Sequence, residues 1–286
     1  METNSGLLVN EIDEIKYEKL FSMCTLVANK DEYEALLSSA EKAGFTNHNS
    51  EFLYIDNSQT NKYNAFDGLN QFLNHSKGKY IILVHQDVEF NFDNVDVLIK
   101  RIEQMNKLDP KWAVLGNAGY DIKNINRQYT RITDPGHNNQ QDGPFPSQVS
   151  CLDEDIMIVK NDLNLMFSKN IGHFHLYGAD LCLQATMQGY HNYVIDFHIL
   201  HKSGGFPNQS FYDTKNRLIS QYENSSKVKF LRTPCTVLFL SNSKVLNFLM
   251  NRKIMYSLKK RYDTFRSRLK GEKILNNSKT QSKCDI

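Results

Sequence analysis

Residues 80–90 read YIILVHQDVEF. Tyr80, Ile81, Ile82, Leu83 and Val84 form an unbroken apolar run, after which His85, Gln86 and Asp87 arrive together, followed by Val88, Glu89 and Phe90. A run with no polar alternation reads as a strand covered on both faces, the pattern of a central strand in a sheet flanked by helices. Its polar tip matters because, in α/β sheets, ligands bind beyond the carboxyl ends of the strands. Oxygen and imidazole donors at such a tip suit a divalent cation holding a diphosphate; a solvated strand end is the plainer alternative.

The flanking sequence extends the pattern in both directions. Residues 19–28 (KLFSMCTLVA) read as a strand, 31–44 as a helix closed by Gly44, and 51–57 (EFLYIDN) as a second strand. Residues 60–78 read as a helix closed by Gly78, 94–110 as a helix ended by Pro110, and 111–121 (KWAVLGNAGYD) as a further strand. Strands alternating with helices predict right-handed crossovers and a mostly parallel sheet. The rhythm breaks after residue 121, where NNQQDGPFPSQ (138–148) reads as a polar loop. Beyond it, SCLDEDIMIVKNDL (150–163) and YVIDFHILHKSGG (193–205) read as strands. Between them a short helix is expected with Asp180 at its N-cap and Gly189 past its end.

Composition bounds the rest. A chain of 286 residues, 40% hydrophobic and 23% charged, is long enough to bury a core without disulfides. Its five cysteines are odd in number and form no CxxC pair, which favours reduced thiols. The acidic N-terminus lacks a signal-peptide pattern, no apolar run is long enough to span a membrane, and the expected location is cytoplasmic. From Arg252 onward, eleven Lys and Arg face three acids, an excess of eight. With an overall net charge of +2, the remainder carries a deficit of six. This acidic body argues against a nucleic-acid partner. The expected organisation is an N-terminal extension (1–18), a catalytic α/β domain (19–240) and a basic helical tail (241–286) whose last residues are disordered. The tail's helical spacing leaves two arrangements open: packing of its apolar residues on the body, or a peripheral contact with the inner face of the membrane.

Several stretches carry a resemblance. TNKYNAFDGLNQFLNHSKGKYIILVHQDVEF, then QDGPFPSQVSCLDEDIMIVK, GHFHLYGADLCLQATMQGY and YVIDFHILHKSGG occur in the order found in family-2-like glycosyltransferases. These residues resemble a bacterial variant in which the DxD motif reads His-Gln-Asp, and the resemblance covers about residues 20 to 205. It implies the GT-A fold, a Rossmann-like sheet flanked by helices. It also implies Mn²⁺ or Mg²⁺ as cofactor, a nucleotide-diphosphate sugar (UDP above all) as donor, and a glycan or lipid-linked acceptor in surface polysaccharide synthesis, with inversion at the anomeric carbon. It implies roles residue by residue. Asp87 holds the metal, with His85 and His201 as further ligands. Val27, Ala28 and Asn29 line the nucleobase, Asp56 contacts base or ribose, and Asn64 lies near the phosphates or ribose. His85 and Gln86 face the donor, Asp153 faces donor sugar or acceptor, and Asp180 is the catalytic base. A turn role is the alternative for Asp56, a plain cap for Asp180.

Two rival functions stay open. The missing first Asp of DxD allows a nucleotide-sugar-binding protein with a degenerate site. The histidines at 173, 175, 191, 198 and 201 allow a metal-dependent hydrolase with His173 and His175 as its nucleus.

Overall fold

The computed structural model describes residues 10, 14, 16–204, 209–223 and 229–269. Most of the expected N-terminal extension, and the expected disorder of the last residues, lie outside them. The first half alternates as β1 (Lys19–Val27), α1 (Lys30–Lys42), β2 (Ser50–Asp56), α2 (Ala65–His75), β3 (Gly78–Val84), a two-residue β4 (Val88–Glu89) and α3 (Val95–Leu108). Each helix starts on an asparagine. The side-chain oxygens of Asn29, Asn64 and Asn94 accept backbone N–H groups of the first turns of α1, α2 and α3, satisfying donors that would otherwise lack a partner.

The second half is richer in short strands: β5 (Trp112–Gly116), β6 (Ala118–Asp121), β7 (Gln128–Asp134), β8 (His137–Asp142), β9 (Ser147–Leu152) and β10 (Ile156–Lys160). There follow α4 (Tyr177–Met187), β11 (His191–Val194), β12 (Ile199–His201), α5 (Gln209–Gln221), a hairpin of β13 (Lys229–Arg232) and β14 (Val237–Leu240), and the helices α6 (Lys244–Met250) and α7 (Lys253–Leu269). No helix among the described residues is long and apolar enough to cross a membrane.

The α/β class holds, with one large sheet in the order β2-β1-β3-β10-β5-β11-β9-β6-β7-β12-β4 and β8 beside β7. Parallel pairing is narrower than expected. It joins β1 to β2 and β3, β5 to β11, and β7 to β12, whereas β10 runs antiparallel between β3 and β5. Strand β3 shows why its sequence has no alternation. Ile81 and Leu83 join a core with α2 and α4, while Tyr80, Ile82 and Val84 join a second core with α1 and α3 on the other face. Trp112, fully buried, stacks on Tyr80 at 5.9 Å and donates its indole N–H to Asn106 at 2.8 Å.

Five expectations are corrected. The region read as a polar loop contains β8, whose sequence HNNQQD carries no strand-forming residue because it pairs only with β7 and is exposed at the edge. The strand read over 150–163 breaks at Asp153–Asp155 into β9 and β10, and that over 193–205 breaks into β11 and β12. The short helix starts at Tyr177, so Asp180 lies within its first turn and is not its cap. Gly78 does not close a helix; it opens β3, where any Cβ would run into the backbone of Phe21 and Ser22 on β1.

Substituting Gly78→Ala is therefore expected to destabilise the protein by about 2–3 kcal/mol, because the obstacle is backbone and cannot rotate away. Chemical denaturation with unchanged m-value checks this; a loss below about 0.5 kcal/mol would show that β1 yields.

Candidate metal and nucleotide site

The end of β3 is fixed by three neighbours. The His85 N–H donates to the Asp155 carbonyl at 2.9 Å. Gln86 Oε1 accepts the N–H groups of Ala28 and Asn29 at 2.7 and 2.8 Å, which ties the tips of β1 and β3 together. Beyond them, β4 pairs antiparallel with β12, setting His201 opposite Val88, and the Lys202 N–H donates to the Asp87 carbonyl at 3.0 Å.

This pairing gathers His85, Asp87 and His201. One nitrogen or oxygen from each lies within 4.8 Å of the others, the one cluster of this kind among the described residues. His201 Nε2 stands 3.4 Å from Asp87 Oδ2 and makes no hydrogen bond there; His85 Nδ1 stands 3.9 Å from Asp87 Oδ1. The Ser203 hydroxyl donates to Asp87 Oδ2. His85 Nε2 meets the Tyr177 hydroxyl, which itself donates to the Glu154 carbonyl at 3.3 Å. With that proton committed, the hydroxyl accepts from His85 Nε2–H, and the Nδ1 lone pair is left facing the cluster.

Electrostatics separate the three groups. Burial pushes His85 down to about 4, helped by the charge of His201, so it is neutral near pH 7. Burial would raise Asp87, but His201 and Ser203 outweigh it and hold the carboxyl well below its usual range. Burial would lower His201, yet Asp87, Asp155 and Asp153 lift it to about 9. The buried, hydrogen-bond-free Nε2 of His201 and two further donors facing it fit a divalent cation, whose charge would replace the His201 proton. Two imidazoles and one carboxylate suit Mn²⁺ better than Mg²⁺, which takes oxygen ligands and keeps its water.

A cavity of about 280 Å³ opens beside the cluster, and His85, Gln86, Asp87, Ala28, Asn61, Glu154, Phe174 and Tyr177 are among the residues that line it. Glu154 was missed as a site residue because a continuous strand would have turned alternate side chains away. The run of three carboxylates between two apolar stretches was the available signal for a break. Gly178, at the start of α4, lets the helix come close: a Cβ there would lie 2.8 Å from the Leu152 carbonyl. Its N–H donates to Glu154 Oε1 at 3.0 Å. Burial pushes the Glu154 carboxyl up to about 8, with Gly178 opposing and Asp153 adding to the shift. Tyr177 and Ser203 were also missed; only the nearness of Ser203 to His201 hinted at either.

Other expected residues lie around the cavity without facing it. Val27 is buried, and Leu26, not named from the sequence, lines the cavity beside the expected Ala28. Asn29 and Asn64 serve as helix caps, with Asn64 also donating to Asp67 at 2.6 Å. Asp56 accepts from Ser58 and pairs with Lys30 at 2.9 Å, contacts that hold its carboxyl below the usual range and match the turn alternative. Asp153 Oδ1 accepts the Glu154 N–H at 2.8 Å, and burial raises its carboxyl. The histidine set is dispersed: His191 pairs with Asp109 at 2.7 Å, and His198 stacks on Phe92 at 3.8 Å. Neither His173 nor His175 belongs to the metal cluster.

Asp180 departs furthest from its expected role as base. It is 0% exposed and accepts from the Ser168 N–H, the Ser168 hydroxyl and the Tyr222 hydroxyl, each at 2.7 Å. Such a carboxylate braces α4 against the preceding loop and has no access to a substrate hydroxyl. Asp180→Ala should cost about 3 kcal/mol by stranding buried donors, while the folded fraction keeps its turnover. Calorimetry alongside a rate assay checks this; an unchanged melting temperature with a hundredfold loss of rate would restore the base role.

No protein-family model matches the chain. Among solved structures it is similar to TarS of S. aureus, with 13% identity and a TM-score of 0.47 over 73% of this chain and 40% of that one. It is also similar to the mannosyltransferase PcManGT of Pyrobaculum calidifontis, solved with GDP-Man and Mn²⁺, with 11% identity and a TM-score of 0.43 over 73% of this chain and 65% of that one. The chain thus spans under two thirds of either neighbour, and likenesses this loose do not fix a function. In sequence, it is 36% identical over 207 residues to a Fuscovulum blasticum protein, covering 71% of this chain and 83% of the other. On that match the chain belongs to the family of the Fuscovulum blasticum protein named ATP synthase subunits region ORF 6, a name that states no activity.

Proposed function

We propose that the protein is a Mn²⁺-dependent glycosyltransferase that moves a sugar from a nucleotide diphosphate, UDP by the sequence resemblance, to a glycan or lipid-linked acceptor with inversion. The observation that carries this reading is the His85–Asp87–His201 cluster at the carboxyl end of a central strand, opening directly into a cavity walled by the β1 tip. Bound there, the ion would supply Lewis-acid neutralisation of the departing diphosphate.

The remaining roles fall to the chain. The β1 tip and the exposed amide of Asn61 offer an edge for the nucleotide, and Tyr177 holds the His85 ring in place. We assign the base to Glu154, a carboxylate that lines the cavity and is not part of the cluster. The acceptor oxygen attacks the anomeric carbon, its proton passes to Glu154, and the bond to the diphosphate oxygen breaks with the electron pair leaving on the nucleotide. A base needs an ionisable group near the working pH within reach of the hydroxyl, which Glu154 offers and Asp180 does not.

A second reading, nucleotide-sugar binding without transfer, is favoured by the enclosure of Asp180. Two variants separate the readings. Asp87→Asn is expected to abolish Mn²⁺-dependent transfer with the fold intact. Glu154→Gln should lower kcat by roughly 10²–10⁴ while donor binding, followed calorimetrically, is kept. Because only the ionised carboxylate takes the proton, the wild-type rate should fall as pH drops below about 8, and this limb should vanish in the variant. NMR of the product reads the anomeric configuration. Donor binding with no sugar released to any acceptor would support the binding protein.

The same shift has a stability consequence. Glu154 holds its proton in the folded state over a window, from about 4.3 to about 8, in which the unfolded chain has lost it. Folded protein binds more protons there, so stability falls as pH rises through that window. Glu154→Gln is expected to raise the melting temperature at pH 8 and to leave it nearly unchanged near pH 4; equal shifts at both would exclude the linkage.

A further inference from the structure

The α7 helix is mounted with its polar side inward. Asp263 and Ser267 are buried at 2% and 4% exposure. Asp263 accepts the Ile125 N–H at 3.2 Å, Asn124 donates to Ser267 at 2.8 Å, and Asn126 donates to the Lys260 carbonyl at 3.0 Å. The side turned outward is apolar. Ile254, Leu258, Tyr262, Phe265 and Leu269 are 70%, 51%, 58%, 61% and 72% exposed. Their spacing of four, four, three and four residues places them on one stripe roughly 80° wide at 100° per residue. Ahead of it, Val245, Phe248 and Leu249 of α6 are also exposed. Arrangements of this kind are uncommon on the surface of a protein that acts alone.

Charge says what covers the stripe. On the same helical projection Arg261 and Arg268 flank one border and Arg266 the other, and all three are exposed. Asp263 is the only acid from residue 241 to 269, and it faces the body, paired with Lys259 at 2.6 Å. The outward face therefore carries positive charge alone. A second copy of the same face would set arginine against arginine, whereas an anionic lipid surface complements both the stripe and its borders. Arginines beside an apolar stripe also let their stems cover lipid while the guanidinium groups reach the phosphates.

We propose that α7 is a membrane-surface helix that docks the protein on anionic lipid through its outward apolar stripe. The helix lies flat, its polar side holding the catalytic body and its apolar side entering the headgroup boundary. Vesicle binding needs no turnover, so this surface stands or falls separately from the transferase reading.

The test is co-sedimentation of the full chain with phosphatidylcholine vesicles, with and without phosphatidylglycerol. The wild type is expected to sediment with the anionic vesicles and not with the neutral ones. Each arginine near such a surface is worth about fivefold in affinity, so the triple reversal Arg261→Glu, Arg266→Glu, Arg268→Glu should lose at least a hundredfold. Leu258→Glu with Phe265→Glu should also abolish binding and, since both side chains are exposed, leave the circular dichroism and melting temperature unchanged. Wild-type binding by that apolar variant would show attraction by charge alone and overturn the inserted helix. Absence of vesicle binding by the full chain would overturn the proposal; a dimer in lipid-free buffer broken by Leu258→Glu would then assign the stripe to a second copy.

Discussion

Leu200 pairs with Glu89 and His201 with Val88, and on these two residue pairs the candidate centre depends. Without them the strand tip would keep His85 and Asp87 and lose His201. Strand β12 is held on its other side by β7, so the position of His201 is set by the register of the sheet's far half. A slip of one residue would turn His201 to the opposite face. The Lys202 N–H on the Asp87 carbonyl adds a further backbone link at the point where register matters most.

Around this closure the protein keeps two carboxyl groups in opposite states. Asp87 is held ionised by imidazole and hydroxyl partners, while Glu154, also lining the cavity, is pushed toward its neutral form by burial. Groups whose surroundings drive their proton affinities apart divide the work of a site: one keeps a fixed charge, the other exchanges a proton. On the proposed reading, one carboxyl would serve the cation and the other the acceptor. The close approach of α4, permitted by the bare Gly178, brings a helix N-terminus to Glu154 and opposes the loss of its ionised form.

The first half of the chain was legible in the sequence because its signals are local. Apolar periods, asparagine caps and the unbroken β3 run each report the structure of their own segment. The second half was less so. The strand β8 has no apolar residue to announce it, and the acidic break between β9 and β10 was hidden by the apolar runs on either side. The tip of β3 points to His85 and Asp87, the family resemblance adds His201, and the structure gathers all three. Tyr177 reaches the cavity only through the packing of α4 on the sheet, which no spacing in the sequence encodes. Asp180 was assigned from its position in a motif, and motif position carries no information about enclosure by Ser168 and Tyr222.

Trp112 is the only tryptophan in the chain, and it is fully buried, stacked on Tyr80 and with the Lys160 ammonium 4.3 Å from its ring. Tyr80 belongs to the strand whose other end bears His85 and Asp87. The protein therefore contains its own optical probe: one indole, in one dry environment, against the strand that carries the centre. Its emission has a single source, so loss of the blue-shifted native signal follows the parting of β3 from β5's neighbourhood without the averaging that several tryptophans impose.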